Sequence, residues 1–256
     1  MPELSLERPV AHVALVRIDR PHKRDALSVA LRRELLAQLQ ALDADPEVRV
    51  MVLAGGAKVF AAGADLNEIA EAGAIDMVLR DTYALWSALG RLLKPLVAAV
   101  RGTAFGGGFE LALHADLIVA GEGARFGLPE VRLGLMPGGG GTQRLARLLG
   151  RQRALHYLLT GDAMTAAEAH TLGIVSQVVP DERVEAAAVE LASRIAAMPP
   201  LAVRQIREVV LAGADCPLDA AIRLEHKALQ LLCASEDKRE GVRAFLEKRP
   251  PKFTGR

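Results

Sequence analysis

The chain has almost no net charge and no long apolar run. Its 32 lysines and arginines are balanced by 31 aspartates and glutamates, which leaves a net charge of +1. Binding to nucleic acid or to an anionic membrane mainly through charge would require an excess of basic residues. No apolar run approaches the roughly 18 residues of a membrane span, and the N-terminus lacks the pattern of a secretory signal. We therefore expect a cytoplasmic protein with no nucleic-acid or membrane partner.

Cysteine is also scarce, with only Cys216 and Cys233 in 256 residues. Neither lies in a CxxC motif, and neither has a histidine nearby at the spacing of metal ligands. We therefore expect two buried free thiols and no bound metal ion.

Several common catalytic motifs are missing from the sequence. The glycine run at residues 138–141 lacks the Lys-Ser/Thr ending of a phosphate-binding P-loop, and no GxGxxG follows a candidate strand. No serine lies in GxSxG, the nucleophile elbow of many hydrolases, and there is no HExxH. The six histidines are scattered, so each alone is more typical of surface or packing than of catalysis.

The remaining pattern predicts an α/β fold. Short β patterns at residues 12–18, 48–54, 96–100 and 117–120 alternate with helical patterns. Between the first two strands, leucines at positions 27, 31, 35, 39 and 42 recur at helical spacing. After Pro180 nearly everything is typical of helix, and we place the boundary of a helical C-terminal region between residues 1–198 and 199–256.

The stretch GGGFELALHADLIVAGEGARFGLPE carries one glutamate near each end. The loop RGTAFGGG should lead from a strand into a helix, where glycine lets a ligand approach free backbone N–H groups. Glu110 lies three residues after Gly107, so both would share one helix face. Each glutamate also has a purely structural alternative, because Glu110 could complement its helix dipole and Glu130, after Pro129, could occupy the first turn of a short helix.

A second glycine-bearing loop, FAAGADLNEI, follows the strand pattern VRVMVLA and again precedes a helix. Two such loops can supply two converging N–H donors. A pair of backbone donors aimed at one oxygen is an oxyanion hole, which stabilises an enolate or a tetrahedral anion.

These segments resemble the enoyl-CoA hydratase/isomerase (crotonase) family. The resemblance begins with RIDRPHKRDAL, continues through FAAGADLNE and the long block from Lys94 to Leu145, and ends with FLEKRPPKF. It covers almost the whole chain. It implies a crotonase-like spiral of repeated ββα units with a helical C-terminal trimerisation region, assembled as a homotrimer or a dimer of trimers.

The resemblance also implies a role for individual residues. Ala64 and Gly107 match the positions whose N–H groups hold the thioester oxygen. Glu110 and Glu130 match the two glutamates that bracket water, and we expect Glu130 to donate the proton to C2 while Glu110 holds and activates water. The family's substrate and CoA contacts match Ala62, Ala64, Asp65, Leu66, Asn67, Gly107, Phe245 and Lys248, the last two reaching the CoA of a neighbouring subunit.

The function implied is addition of water to a 2-enoyl-CoA thioester to give a 3-hydroxyacyl-CoA, in the degradation of fatty acids or phenylacetate. CoA arrives with the substrate, so no cofactor is expected. Two alternatives stay open: a double-bond isomerase, which Glu130 alone could support, and a non-catalytic acyl-CoA-binding protein. The presence of both glutamates and of both oxyanion-hole positions favours the hydratase.

The sequence departs from the family pattern at two positions, and the acyl pocket is not fixed by it. Many hydratases have lysine where Asn67 stands, which affects one ionic contact to CoA, and asparagine where Asp25 stands, which concerns packing of the first helix. We expect the pocket to be lined partly by the helix around Tyr83 and Trp86, although a core role for Trp86 is an equal alternative. A terminal carboxylate on the substrate would call for a cation such as Arg80.

Overall fold

Residues 3–256, which the computed structural model describes, form ten β-strands and twelve α-helices. The strands are β1 Leu4–Val10, β2 Val13–Ile18, β3 Val50–Ala54, β4 Val59–Ala61, β5 Leu96–Val100, β6 Thr103–Phe105, β7 Leu117–Gly121, β8 Arg125–Gly127, β9 Ala163–Thr165 and β10 Gln177–Val179. The helices are α1 Val29–Ala44, α2 Leu66–Ala70, α3 Ala74–Leu79, α4 Thr82–Leu89, α5 Gly107–His114, α6 Gly141–Leu149, α7 Arg151–Thr160, α8 Ala166–Thr171, α9 Val184–Ala196, α10 Pro200–Gly213, α11 Leu218–Cys233 and α12 Glu236–Leu246.

The strands form two sheets through repeated ββα units. The larger sheet has the order β1-β2-β3-β5-β7-β10, and the smaller has the order β4-β6-β8-β9. In each of the pairs β3–β4, β5–β6 and β7–β8 the first strand joins the larger sheet and the second joins the smaller. A helix follows each pair, so the chain advances as a spiral. The predicted α/β class and the predicted ββα spiral are both confirmed.

The central strands of the larger sheet are buried on both faces. Every residue of β3 and β5 is buried, as expected for parallel strands that are covered on both sides. Met51 and Leu53 pack in the cluster that contains the α1 leucines, whereas Val50 and Val52 pack with alanines of α9. Alternate residues of one strand therefore hold helices on opposite faces of the sheet.

The predicted strands are present as β2, β3, β5 and β7, with ends within two residues of the predicted bounds. The predicted first helix is also present, but it begins at Val29 because the Ser28 side chain caps it by accepting a hydrogen bond from Leu31 N. Leu27 lies outside the helix. Its N–H instead donates to Gly63 O over 2.7 Å, which ties the start of α1 to the loop after β4.

The turn from β6 into α5 depends on Gly106. Its backbone has φ 54° and ψ −129°, a region that essentially only glycine occupies. This turn sends the chain directly from the smaller sheet into α5. Every residue of α5 after Gly107 is buried, so the helix is fixed in orientation by the core around it.

The C-terminal helices are much less buried than the rest of the chain. Helices α10, α11 and α12 pack against one another and leave large apolar side chains exposed, including those of Ile206, Val210, Leu218, Ile222, Leu229, Leu231, Phe245 and Leu246. The division between residues 1–198 and 199–256 as two domains stays a prediction, although α10 does begin at Pro200.

The expectation of buried thiols is wrong. Cys216 and Cys233 are both free and exposed, because Cys216 lies in the turn between α10 and α11 and Cys233 is the last residue of α11, where residues 3–256 of one chain do not cover them. Among residues 3–256, no three His, Cys, Asp or Glu side chains are grouped as a metal site requires. In the same part of the chain, no single helix combines the length and apolar character needed to cross a membrane. A cytoplasmic location stays a prediction.

Candidate active site

Glu110 is held by a loop far away in sequence. It lies in the first turn of α5 and is only 3% exposed. Its Oε1 atom accepts hydrogen bonds from Gly139 N at 2.7 Å and from Gly141 N at 2.8 Å. Within residues 3–256, Oε2 receives no hydrogen bond. Glu110 is therefore not merely a partner for the dipole of its own helix, since its carboxylate is bound on one side and open on the other.

Two glycines of the run at residues 138–141, Gly139 and Gly141, allow the backbone to approach Glu110 closely. A Cβ atom on Gly139 would lie 2.7 Å from Glu110 Oε2 and 2.8 Å from Trp86 Cζ2, so a side chain there would displace one of them. The sequence pattern excluded a P-loop here but did not identify the run as the support of Glu110. The density of glycines between Pro137 and the start of α6 was the available signal.

Glu130 lies on a 3₁₀ helix, Pro129–Leu133, directly after β8. Its Oε2 atom is buried, and no atom within residues 3–256 forms a hydrogen bond with it. Its Oε1 atom approaches Gly106, where a Cβ would lie 3.1 Å away. Burial is the main reason that the pKa of Glu130 rises to about 7, and the charge of Glu110 raises it further. Near neutral pH this carboxyl group is therefore available as an acid.

The two carboxyl groups have opposite hydrogen-bond environments. Burial raises the pKa of Glu110, but the N–H groups of Gly141 and Gly139 and the charge of Arg32 oppose the rise. Hydrogen bonds donated to a carboxylate favour its charged form. Glu110 is thus supported as an ion by two N–H groups of a distant loop, whereas only the backbone N–H of Glu130 itself opposes the rise in the pKa of Glu130. Environments that separate two carboxyl groups in this way allow one to act as base and the other as acid.

Two backbone N–H groups meet beside these carboxyl groups. A Cβ on Gly107 would lie 3.7 Å from Ala64 N, and one on Gly63 would lie 3.2 Å from Gly107 N. Within the described chain, neither Ala64 N nor Gly107 N donates to another protein atom. Two such donors, close together and without acceptors, have the arrangement of an oxyanion hole.

The smaller sheet explains why these groups meet. Strands β4, β6 and β8 are neighbours and run parallel, so their C-terminal ends lie along one edge. Ala64, Gly107 and Glu130 each follow one of these strands. The bond from Leu27 N fixes the first of the three loops, and α5 carries Glu110 back over the same edge.

The chain is similar to known proteins over almost its whole length. Residues 9–256 match the family model described as enoyl-CoA hydratase/isomerase. The chain belongs to the enoyl-CoA hydratase/isomerase family. The 2,3-dehydroadipyl-CoA hydratase of Escherichia coli K12 is 45% identical over 100% of both chains. A crystal structure of enoyl-CoA hydratase subunit I from Geobacillus kaustophilus HTA426 matches with a TM-score of 0.97 at 46% identity, covering 100% of this chain and 99% of that chain. An enoyl-CoA hydratase structure from Bacillus anthracis has a TM-score of 0.96 at 36% identity over 100% of both chains.

The other substrate contacts expected from the enoyl-CoA hydratase/isomerase family lie in two places. Ala62, Leu66 and Asn67 are exposed beside Ala64. The Asp65 carboxylate caps α2 by accepting hydrogen bonds from Asn67 N at 3.2 Å and Asn67 Nδ2 at 3.0 Å. This pairing fixes the loop that presents the Ala64 N–H.

The two C-terminal contacts expected from the family are not part of this cluster. Phe245 is 82% exposed near the end of α12, and the exposed Lys248 follows that helix. Their contact with the CoA of a neighbouring subunit stays a prediction.

Trp86 lies in the core and also approaches the oxyanion loop, while a role for its helix in lining the acyl pocket stays a prediction. Trp86 is buried and stacks on His114 with ring centroids 5.4 Å apart. Its Cζ2 atom also lies 3.8 Å from where a Cβ on Gly107 would be, so the same ring reaches the oxyanion loop. Tyr83 on the same helix is exposed. Arg80 donates to Glu68 O at 2.7 Å, on the helix that follows Ala64.

Proposed function

We propose that the protein hydrates 2-enoyl-CoA thioesters. The observation that carries this proposal is the pair of carboxyl groups with opposed environments, Glu110 and Glu130, beside two N–H donors that have no protein acceptor. A binding protein would need only the donors, and an isomerase needs only one carboxyl group to move a proton between two carbons.

The chemistry follows from these positions. The thioester oxygen accepts hydrogen bonds from Ala64 N–H and Gly107 N–H, which stabilise the negative charge that develops on it as the enolate forms. Glu110 Oε2 takes a proton from water as the water oxygen bonds to C3. Glu130 gives its proton to C2. Exchange with solvent returns both carboxyl groups to their starting states, and CoA is part of the substrate, so the reaction needs no separate cofactor.

The first prediction is that the two glutamates act as one unit. Glu110→Gln and Glu130→Gln should each lower kcat for crotonyl-CoA by about 10²- to 10⁴-fold, the usual effect of losing a general acid or base. The double variant should be little worse than the poorer single one, because residues that act together are strongly non-additive. Steady-state hydration measures kcat, and the KM should change little because the N–H donors remain.

Glu122→Gln is the matched control. Glu122 lies between Glu110 and Glu130 in the sequence and is exposed, so this variant should keep wild-type turnover. Near-wild-type kcat in either site variant would remove that glutamate from the mechanism. If the wild type moved a double bond without adding water, the protein would be an isomerase.

We further propose that the substrate carries a carboxylate at the far end of its acyl chain, as in 2,3-dehydroadipyl-CoA, and that the reaction belongs to phenylacetate degradation. The support is Arg32 on α1. Its charge faces Glu110, Glu68 and Arg80, and burial lowers its pKa. Within residues 3–256, the Arg32 side chain makes one hydrogen bond, a long one of 3.4 Å from Nε to Ser28 O. Most of the guanidinium donors are therefore available.

The Glu68 carboxylate does not occupy those donors. Its Oε1 and Oε2 atoms accept hydrogen bonds from Val29 N, at the start of α1, over 3.3 Å and 3.1 Å. Arg80 donates to the Glu68 backbone carbonyl instead. Arg32 and Arg80 therefore form a cationic pair close to the proposed base. The sequence suggested Arg80 for this purpose and gave no indication of Arg32.

The second prediction concerns this arginine. Arg32→Met should lower kcat/KM for 2,3-dehydroadipyl-CoA by roughly tenfold to a hundredfold, the loss of a hydrogen bond to a charged group of about 1.5–3 kcal/mol. The effect on crotonyl-CoA, which has no terminal carboxylate, should be smaller, because with that substrate only the influence of the Arg32 charge on Glu110 is lost. Arg33→Met, at the exposed neighbouring position, should change neither. Equal losses on both substrates, or none on either, would contradict the assignment.

We infer a homotrimer or a dimer of trimers, in which the C-terminal helices pack between subunits. The support is the set of exposed apolar side chains on α10–α12, which is larger than a solvent-facing surface usually carries. Such packing would also bring Phe245 and Lys248 towards a neighbouring active site.

The third prediction tests this assembly. Leu231, 70% exposed on α11, should tolerate a charge poorly at an interface because burying an unpaired carboxylate is costly. Leu231→Glu should therefore dissociate the oligomer in size-exclusion chromatography with light scattering. The adjacent exposed Gln230→Glu serves as the control for added charge. A wild type that elutes as a monomer would exclude the proposed assembly.

A further inference from the structure

His114 is a buried histidine at the end of α5, and both of its ring nitrogens are engaged. Arg144 Nη2 lies 2.9 Å from Nδ1, and Gly139 O lies 3.0 Å from Nε2. A guanidinium can only donate and a carbonyl can only accept. Nδ1 must therefore accept from Arg144, so Nε2 carries the proton and donates it to Gly139 O.

The surroundings keep this imidazole neutral and in place. Burial and the adjacent Arg144 charge lower the pKa of His114 to about 4. The Trp86 ring stacks on one face of the imidazole. Near neutral pH the side chain is therefore a single tautomer with a fixed hydrogen-bond donor.

His114 and Glu110 hold the same residue from opposite sides. They are four positions apart on α5, which places both on one face of the helix. Glu110 Oε1 accepts the Gly139 N–H, and His114 Nε2–H donates to the Gly139 carbonyl. Gly139 is thus bound to α5 through both of its backbone polar groups.

We propose that His114, oriented by Arg144, is a positioning residue that fixes Gly139 and thereby keeps Glu110 Oε1 occupied and Oε2 free for water. The proposal rests on the proposed hydration at this site. It identifies a role for a histidine that does not touch the substrate. Without the bond from His114, the peptide group that carries the Gly139 carbonyl can rotate, and the resulting change in the Gly139 backbone can move its N–H away from the carboxylate.

Loss of that N–H should be visible in the ionisation of Glu110. The groups whose charges face Glu110 are Arg32 on α1 and Glu130 on the 3₁₀ helix, and a substitution at His114 leaves both unchanged. Removing an N–H donor from a carboxylate raises its pKa. The acidic limb of the kcat/KM profile should therefore move to higher pH, an effect that a general loss of stability would not produce.

The test compares His114→Met with His114→Gln, whose side-chain amide can still donate to Gly139 O. His114→Met should lower kcat for crotonyl-CoA about tenfold to a hundredfold with little change in KM, as expected when a reacting group is displaced by a fraction of an ångström to an ångström. Its acidic limb should shift upward. His114→Gln should recover part of both effects. His156→Met, at an exposed histidine on α7, is the control and should match the wild type.

A His114→Met enzyme with wild-type kcat and an unmoved acidic limb would overturn the proposal, as would equal defects in the Met and Gln variants. If His114→Met does not fold, Arg144→Met gives the same test, because it removes the donor that orients the ring. If the wild type itself fails to hydrate any enoyl-CoA, the proposed function fails instead. The pKa of Glu110, followed by NMR of the labelled carboxyl carbon in wild type and variant, then decides the positioning role without turnover.

Discussion

The two hydrogen bonds from Gly139 and Gly141 to the Glu110 carboxylate are the interaction on which the site depends. They stabilise a buried charge that would otherwise be costly, and they occupy one oxygen while leaving the other open. Glu130 follows the strand β8 and has only its own backbone N–H to oppose the effect of burial, so its pKa stays raised. The difference between two identical side chains therefore comes from the backbone around them.

The fold supplies that backbone through its repeated units. Each ββα unit adds one strand to the smaller sheet, and parallel pairing brings the ends of β4, β6 and β8 to one edge. Groups separated by tens of residues in sequence, such as Ala64, Gly107 and Glu130, thus arrive at one place. The larger sheet and the helices on its two faces make this arrangement rigid, since their residues are almost completely buried.

The sequence predicted the parts of this site that depend on local pattern. Ala64 and Gly107 lie in glycine loops between a strand and a helix, and the family resemblance placed Glu110 and Glu130. What it missed depends on contacts between distant segments. The partner of Glu110 lies 29 residues further along the chain at Gly139, and no periodicity in one sequence reports that pairing.

Two further predictions failed for related reasons. Cys216 and Cys233 were expected to be buried because cysteine usually is, but they lie before and at the end of α11, on the part of the chain that is least buried. His114 was grouped with the scattered histidines, since one histidine carries no pattern. Only the fold shows that it and Glu110 share a helix face and bind the carbonyl and the N–H of one residue, Gly139.

The most direct test of the account is the ionisation of Glu130 in the free enzyme. The infrared C=O absorption of its protonated carboxyl group can be isolated by subtracting the spectrum of Glu130→Gln and followed against pH. Burial raises the pKa, so the account predicts that the protonated form persists well above the ordinary value of 4.5 and is half lost near pH 7. A Glu130 that ionises at its ordinary pKa would contradict the assignment of one carboxyl as acid beside another held as a base.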